Sequence, residues 1–148
     1  MLEAGLDRIR EASRSWPRRP RVYFEEWDDP LISGIRWVEE LIETAGGTPI
    51  FPELRDAALG KDRIVQPEEV LRRRPDVVIA SWCGKAVRPE RIAARAGWGD
   101  MPAVRDGHIY EIKSAYILQP GPAALTDGLR QLCEILARVR PADGPRPD

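Results

Sequence analysis

The sequence has little cysteine, a single histidine and no long apolar run, and these shortages exclude several classes of protein. Cys83 and Cys133 are the only cysteines and form no CxxC pair, so neither a disulfide framework nor a zinc site is expected. The longest apolar run, at 77–83, is far shorter than the roughly 20 residues of a membrane-spanning helix. The charged N-terminal segment lacks the apolar centre of a signal peptide.

The sequence also has no excess of one charge, because 23 basic and 24 acidic residues leave a formal charge of -1. Nucleic-acid-binding domains usually carry a basic excess, so no nucleic-acid partner is expected. The 148 residues suffice for one domain, and 43% hydrophobic with 32% charged residues is typical of a folded one. The proline-rich tail at 141–148 is predicted to be disordered.

Strand and helix patterns alternate along the rest of the chain. Strands are predicted at 22–26, 48–51, 77–82 and 108–112, with Ala103 and Val104 in the last strand region. Apolar residues at helical spacing predict helices at 2–14, from Leu31 to Ala45, at 67–74, at 88–96 and at 125–139. This order predicts an α/β fold in three layers, with a mostly parallel sheet and helices on both of its faces.

In open α/β sheets, ligands bind beyond the carboxyl ends of the strands. Here those ends are followed by the segments 25–29, 81–85 and 113–119, which we call the rim. Each rim segment contains a large aromatic residue: Trp27, Trp82 and Tyr116. Such a rim suits a flat, largely apolar ligand, and Glu26 and Lys85 are further candidate ligand contacts. The alternative is that each tryptophan caps the core.

Other combinations of residues are weaker indications of a functional site. The carboxylates at 25, 26, 28 and 29 lack the spacing and the glycine of a calcium loop, and they would repel a dinucleotide pyrophosphate. His108 precedes the last strand, away from the rim, and is predicted to be structural or exposed. Cys83 lies on the rim, but no general base is near it in sequence.

Several strings resemble one family, in the same order along the chain. They are VYFEEWDDPLISGIRWVEELIETAGG at 22–47, PDVVIASWCGK at 75–85, AVRDGHIYEI at 103–112 and ILQPGPA at 117–123. Together they resemble the C-terminal lobe of class III substrate-binding proteins of bacterial ABC importers, which carry siderophores, haem and cobalamin. The strings SWCGK and EEWDDP are most similar to cobalamin-binding members.

The resemblance implies that residues 1–20 are the end of an interlobe helix with its connector and that residues 21–140 are the C-terminal lobe. It implies that this chain lacks the family's first lobe and signal peptide. It further implies a periplasmic, non-enzymatic protein without a cofactor, which binds a corrinoid or another tetrapyrrole or siderophore and delivers it to an ABC permease. Trp27 and Trp82 would face the ligand, and Tyr116 would be another contact. The loop where we look for the carboxylate that docks the permease holds Leu118 and Gln119, so that acid is not identified.

Two alternatives remain open at this point. One is a small enzyme or cofactor-dependent domain that uses Cys83 and Lys85. The other is a remnant without ligand that dimerises, since the apolar face of an amphipathic helix at 2–14 and an apolar rim, left without a partner lobe, predict a homo-oligomer.

Overall fold

A computed structural model describes residues 19–118 and 124–139 of the chain. The predicted helix at 2–14, the predicted tail at 141–148 and Gln119 of the rim lie outside the described residues.

One five-stranded sheet forms the centre of the fold. Its strands are β1 Arg21–Asp28, β2 Leu31–Ser33, β3 Thr48–Pro49, β4 Val77–Ala80 and β5 Ile109–Glu111. The order is β2–β1–β4–β5, and β3 pairs with the first residues of β1. All pairs are parallel except β1–β2. The predicted parallel pairing of the first strand with the VVIA strand is confirmed, and the carboxyl ends of β1, β4 and β5 therefore lie at one edge.

Helices cover both faces of this sheet, as the alternating pattern predicts. They are α1 Arg36–Thr44, α2 Pro67–Arg73, α3 Pro89–Ala93, α4 Pro102–Arg105, α5 Ser114–Ile117 and α6 Leu129–Val139. Short 3-10 turns lie at Pro52–Leu54, Gly60–Arg63 and Trp98–Asp100, and a π-helical turn at Ala124–Gly128 leads into α6.

The core is divided by the sheet into two layers, and β4 contributes to both. Val77 and Ile79 pack in the layer that contains α1 and α6, while Val78 and Ala80 pack in the layer that contains α2, α3 and α4. All four side chains are fully buried. A strand covered on both faces loses the apolar–polar alternation of a half-exposed strand, which explains the unbroken VVIA run. The predicted α/β class is confirmed.

The prediction of a helix that begins at Leu31 is wrong. Leu31–Ser33 form β2, which runs antiparallel to the end of β1, and α1 begins only at Arg36. The Ile35 backbone N–H, at the position before the helix, donates to Glu26 Oε1 at 2.8 Å. Leu31 matches the helical spacing of α1, but the tight turn after Asp28 brings it back beside β1, where its backbone groups find partners.

The assignment of Ala103 and Val104 to the last strand region is also wrong, since both lie in α4. Pro102 occupies the first turn of this helix, where its fixed φ is favourable and its missing N–H costs nothing. Gly107 follows with a φ of 75°, which a β-branched residue rarely adopts, and the chain then enters β5.

Glu39 on α1 is a buried carboxyl group with an unsatisfied oxygen. The residue is 3% exposed, and its Oε2 has no hydrogen-bond partner. Burial raises the pKa of Glu39 from 4.5 to about 8, although the positive charge of Arg55 lowers it in part. Glu39 is therefore mostly protonated at neutral pH, which avoids an unpaired charge in the interior.

We expect Glu39→Gln to stabilise the protein at alkaline pH. The folded state holds the Glu39 proton between about pH 4.5 and about pH 8, whereas the unfolded state releases it. The wild-type free energy of unfolding should therefore fall as the pH rises through this window, and it should level off above it. The substitution removes this dependence and should add about 1–3 kcal/mol near pH 9 and little near pH 4, as measured by urea unfolding. Glu40→Gln, an exposed position on the same helix, is the control, and parallel pH profiles for Glu39→Gln and the wild type would contradict the expectation.

Candidate functional site

Glu25, at the base of the rim, is a fully buried carboxylate that accepts four hydrogen bonds. Arg95 donates from Nη1 to Oε1 at 2.7 Å and from Nη2 to Oε2 at 3.0 Å. The Tyr23 hydroxyl donates to Oε1 at 2.8 Å, and the indole Nε1 of Trp82 donates to Oε2 at 2.9 Å. A charge can be buried when it is paired and its hydrogen-bonding capacity is filled, and both conditions hold here.

Tyr23 takes part in this network as a permanent donor. Burial raises the pKa of its hydroxyl well above the usual value, and the neighbouring Glu25 carboxylate raises it further. The hydroxyl therefore keeps its proton around neutral pH and continues to donate to Glu25. The network joins β1, β4 and the segment after α3 through side chains.

Trp82 lies in the core beneath the rim. It is 4% exposed and packs in the layer that contains α2, α3 and α4. The hydrogen bond to Glu25 fixes the orientation of its indole ring, so the ring does not project from the protein as a free surface.

Trp27 and Lys85 are brought together at the ends of two neighbouring strands. Lys85 Nζ lies 4.4 Å from the centroid of the Trp27 ring and 5.2 Å from that of the Trp82 ring. Lys85 Nζ is also 2.7 Å from Asp28 Oδ1. Three of the five predicted contacts, Trp27, Trp82 and Lys85, therefore form one cluster, and Asp28 completes it.

Glu26 points to the other face of the sheet and is engaged by the protein itself. Its Oε1 accepts the Ile35 N–H, and its Oε2 accepts from Arg63 Nη1 at 2.8 Å. Arg63 is 3% exposed and also donates to the Ser33 carbonyl. Through these hydrogen bonds Glu26 joins β1 directly to the start of α1 and, by way of Arg63, to β2.

Tyr116 lies on α5, which follows β5, so β4 separates its strand from the strand of Trp27. It is 41% exposed, the highest exposure among the three aromatic candidates. The backbone of Tyr116 packs closely against Gly128. A Cβ at position 128 would lie only 2.4 Å from the Tyr116 carbonyl oxygen. Glycine at position 128 is therefore required for the π-helical turn to approach α5.

An apolar row beside Trp27 was missed by the sequence reasoning. Trp27 lies opposite Ile32 in the β1–β2 register, and Ile32 forms an isolated bridge with Ile64. Ile64 is 41% exposed and Leu59 is 56% exposed. The helix predicted from Leu31 hid this row, since only an extended β2 aligns Ile32 with both neighbours.

The remaining candidates do not form a reactive cluster. Cys83 is exposed, and His108 lies at the opposite end of β5 with its Nδ1 3.0 Å from the Tyr110 hydroxyl oxygen. Among residues 19–118 and 124–139, no group of three or more His, Cys, Asp or Glu residues could hold a metal ion. Within the same ranges, no helix is both long and apolar enough to span a membrane.

We expect Arg95→Met to be strongly destabilising, because it leaves the Glu25 carboxylate buried without its counter-charge. The free energy of unfolding should fall by about 3–5 kcal/mol, as measured by urea denaturation. The double variant Glu25→Gln with Arg95→Met should recover part of the loss, since the uncompensated charge is gone. Arg91→Met, at an exposed position on α3, is the control and should change stability by less than about 0.5 kcal/mol. An Arg95→Met protein as stable as the control would contradict the role assigned to this pair.

Known proteins share this architecture. A family model described as periplasmic binding protein matches residues 2–116. A vitamin B12-binding protein of Vibrio parahaemolyticus serotype O3:K6 is 24% identical over 133 residues, which are 88% of this chain and 45% of that protein. The chain thus spans about half the length of the relatives it matches.

Two solved structures show the same fold. The periplasmic vitamin B12 binding protein of Vibrio cholerae superposes with a TM-score of 0.66 at 22% identity, over 93% of this chain and 51% of that one. A periplasmic haem-binding protein from Roseiflexus sp. RS-1 superposes with a TM-score of 0.61 at 24% identity, over 91% of this chain and 54% of that one. Because the family match covers well over half of its residues, the chain belongs to the periplasmic binding protein family, and its resemblance to the class III substrate-binding proteins of ABC importers is confirmed.

Proposed function

We propose that this chain is a ligand-binding lobe of an ABC-importer substrate-binding protein and that it binds a corrinoid or a related tetrapyrrole at the rim. The family membership supports a binding function rather than an enzymatic one. The vitamin B12-binding relative supports the corrinoid as ligand. The protein would act outside the cytoplasmic membrane and deliver its ligand to an ABC permease.

The observation that carries the proposal is the composition of the rim at one edge of the sheet. Trp27 at the end of β1 lies beside Lys85, which follows β4, and the exposed Tyr116 lies after β5. The row formed by Ile32 and Ile64 extends this surface beyond Trp27. A surface of aromatic and aliphatic groups with few polar contacts suits the broad face of a flat ring system.

The charges of the rim agree with a ligand that carries little net charge. The carboxylates of Glu25, Glu26 and Asp28 are each paired with a cation of the protein. A second function based on Cys83 and Lys85 gains no support from this geometry, since Lys85 is held by Asp28 and the two indoles. Self-association stays a prediction, because the helix on which it partly rests lies outside the described residues.

We expect the 148-residue chain to bind cobalamin with a dissociation constant of tens of micromolar or weaker. If a clamp of two lobes reached about −12 kcal/mol, half of the contacts would provide about −6 kcal/mol, and the entropy of association would still be lost in full. Calorimetric titration with cobalamin and with haem measures this. Tyr116→Ala and Trp27→Leu should each weaken binding about threefold to tenfold, since each removes an aromatic ring from the rim.

The control variant is His108→Ala, which lies at the opposite edge of the sheet and should bind like the wild type. An effect of His108→Ala that equals those of the two rim variants would mean that the ligand binds at another edge. Absence of heat for both ligands at millimolar concentration would refute a tetrapyrrole-binding lobe.

A further inference from the structure

The ammonium group of Lys85 is held at the rim by three groups. Asp28 Oδ1 lies 2.7 Å from Nζ, and the ring centroids of Trp27 and Trp82 lie 4.4 and 5.2 Å from it. Both ring distances are within the roughly 6 Å over which a cation is attracted to the face of an indole. Lys85 thus lies where a flat ligand would have to stack on Trp27.

The Lys85 ammonium occupies one face of each indole at this point. Trp82 is buried and donates its N–H to Glu25, which Arg95 holds in turn. The Lys85 ammonium lies over one face of the Trp27 ring. Direct stacking of a ring on that face requires Lys85 to leave.

Removal of Lys85 from this position would be unfavourable. The Asp28 side chain is only 15% exposed, so its carboxylate would remain largely buried without its counter-charge. The loss of this ion pair opposes the gain from one stacked aromatic ring. The arrangement therefore favours a ligand that contacts Lys85 where it is.

We propose, on the basis of the proposed function, that Lys85 stays between the two indoles in the complex and donates a hydrogen bond to an uncharged oxygen acceptor of the ligand. In this arrangement Trp27 and Trp82 are positioning residues for the ammonium group. An ammonium group has three donors, and the contact with Asp28 leaves others for the ligand. The Lys85 side chain is 43% exposed, so these donors can be reached from outside.

The charges around Lys85 select an uncharged acceptor. Asp28 neutralises the ammonium, and the exposed Asp29 beside it adds a further negative charge. A carboxylate of a ligand would therefore meet a net negative charge here, whereas the carbonyl oxygen of an amide would not. The ligand class that this site favours is a corrin ring with amide side chains rather than one with carboxylate side chains.

The position of Lys85 can be tested without any ligand, because Lys61, Lys85 and Lys113 are the only lysines of the chain. In protein labelled with 13C-lysine, the ε-CH2 protons of Lys85 should resonate upfield of the other two owing to the ring currents of the indoles. Trp27→Leu should move this signal toward those of Lys61 and Lys113, and Trp27→Phe should retain part of the shift. Coincident signals for all three lysines would overturn the positioning role.

The ligand contact is tested with two corrins that share one ring, cobinamide with amide side chains and cobyrinic acid with carboxylates. We expect the wild type to bind cobinamide about tenfold more tightly than cobyrinic acid. We expect Lys85→Met to weaken the binding of cobinamide about tenfold. Lys61→Met, at an exposed position outside the rim, is the control and should bind like the wild type. The Lys85 ε-CH2 signal should stay upfield in the complex.

A double-mutant cycle separates positioning from stacking. Trp27→Leu should weaken binding in the wild type but add little in the Lys85→Met background, because its effect acts through Lys85. Equal losses in both backgrounds would show that Trp27 stacks on the ligand directly. Tighter binding by Lys85→Met, or a preference for cobyrinic acid, would also overturn the proposal. If neither corrin binds the wild type, the corrinoid ligand of the proposed function fails together with the ligand contact, while the lysine spectrum still decides whether the indoles hold Lys85.

Discussion

The ion pair between Glu25 and Arg95 is the interaction on which the rim depends. A carboxylate with no exposed surface is compatible with folding only if its charge is compensated and its oxygens are hydrogen-bonded. Arg95, Tyr23 and Trp82 satisfy these needs from three different parts of the chain. The same contacts fix the indole of Trp82, and Trp82 in turn forms part of the position that Lys85 occupies.

The acidic residues at the end of β1 form ion pairs with other parts of the chain. Glu25 pairs with Arg95, Glu26 with Arg63 and Asp28 with Lys85, and each pair joins β1 to a different later segment. A run of carboxylates in a sequence suggests a solvated turn or a cation site, but here the charges of Glu25, Glu26 and Asp28 are compensated by cations of the protein, and the exposed Asp29 lies beside them. This leaves a rim whose local charge is small.

Much of the fold could be predicted from the sequence, since it depends on patterns within single segments. The VVIA run predicted a strand buried on both faces, and the alternation of strands and helices predicted the α/β class. Errors arose where a segment satisfied two patterns at once. Leu31 fits the helical spacing of α1, and only the return of the chain beside β1 decides that it lies in a strand. Ile32 and its neighbour Ile64 were missed for the same reason.

The sequence by itself determined which residues follow the carboxyl ends of the strands, because strand order and alternation are local properties of the chain. The sequence alone therefore places Trp27, Trp82, Lys85 and Tyr116 at one edge of the sheet. Only the tertiary structure decided which of them are open, which are covered and which partner each one has. Glu26 binds the start of α1, Trp82 is buried against Glu25, and Lys85 covers Trp27. Contacts of this kind join residues up to 70 positions apart, and no local pattern in a sequence records such a pairing.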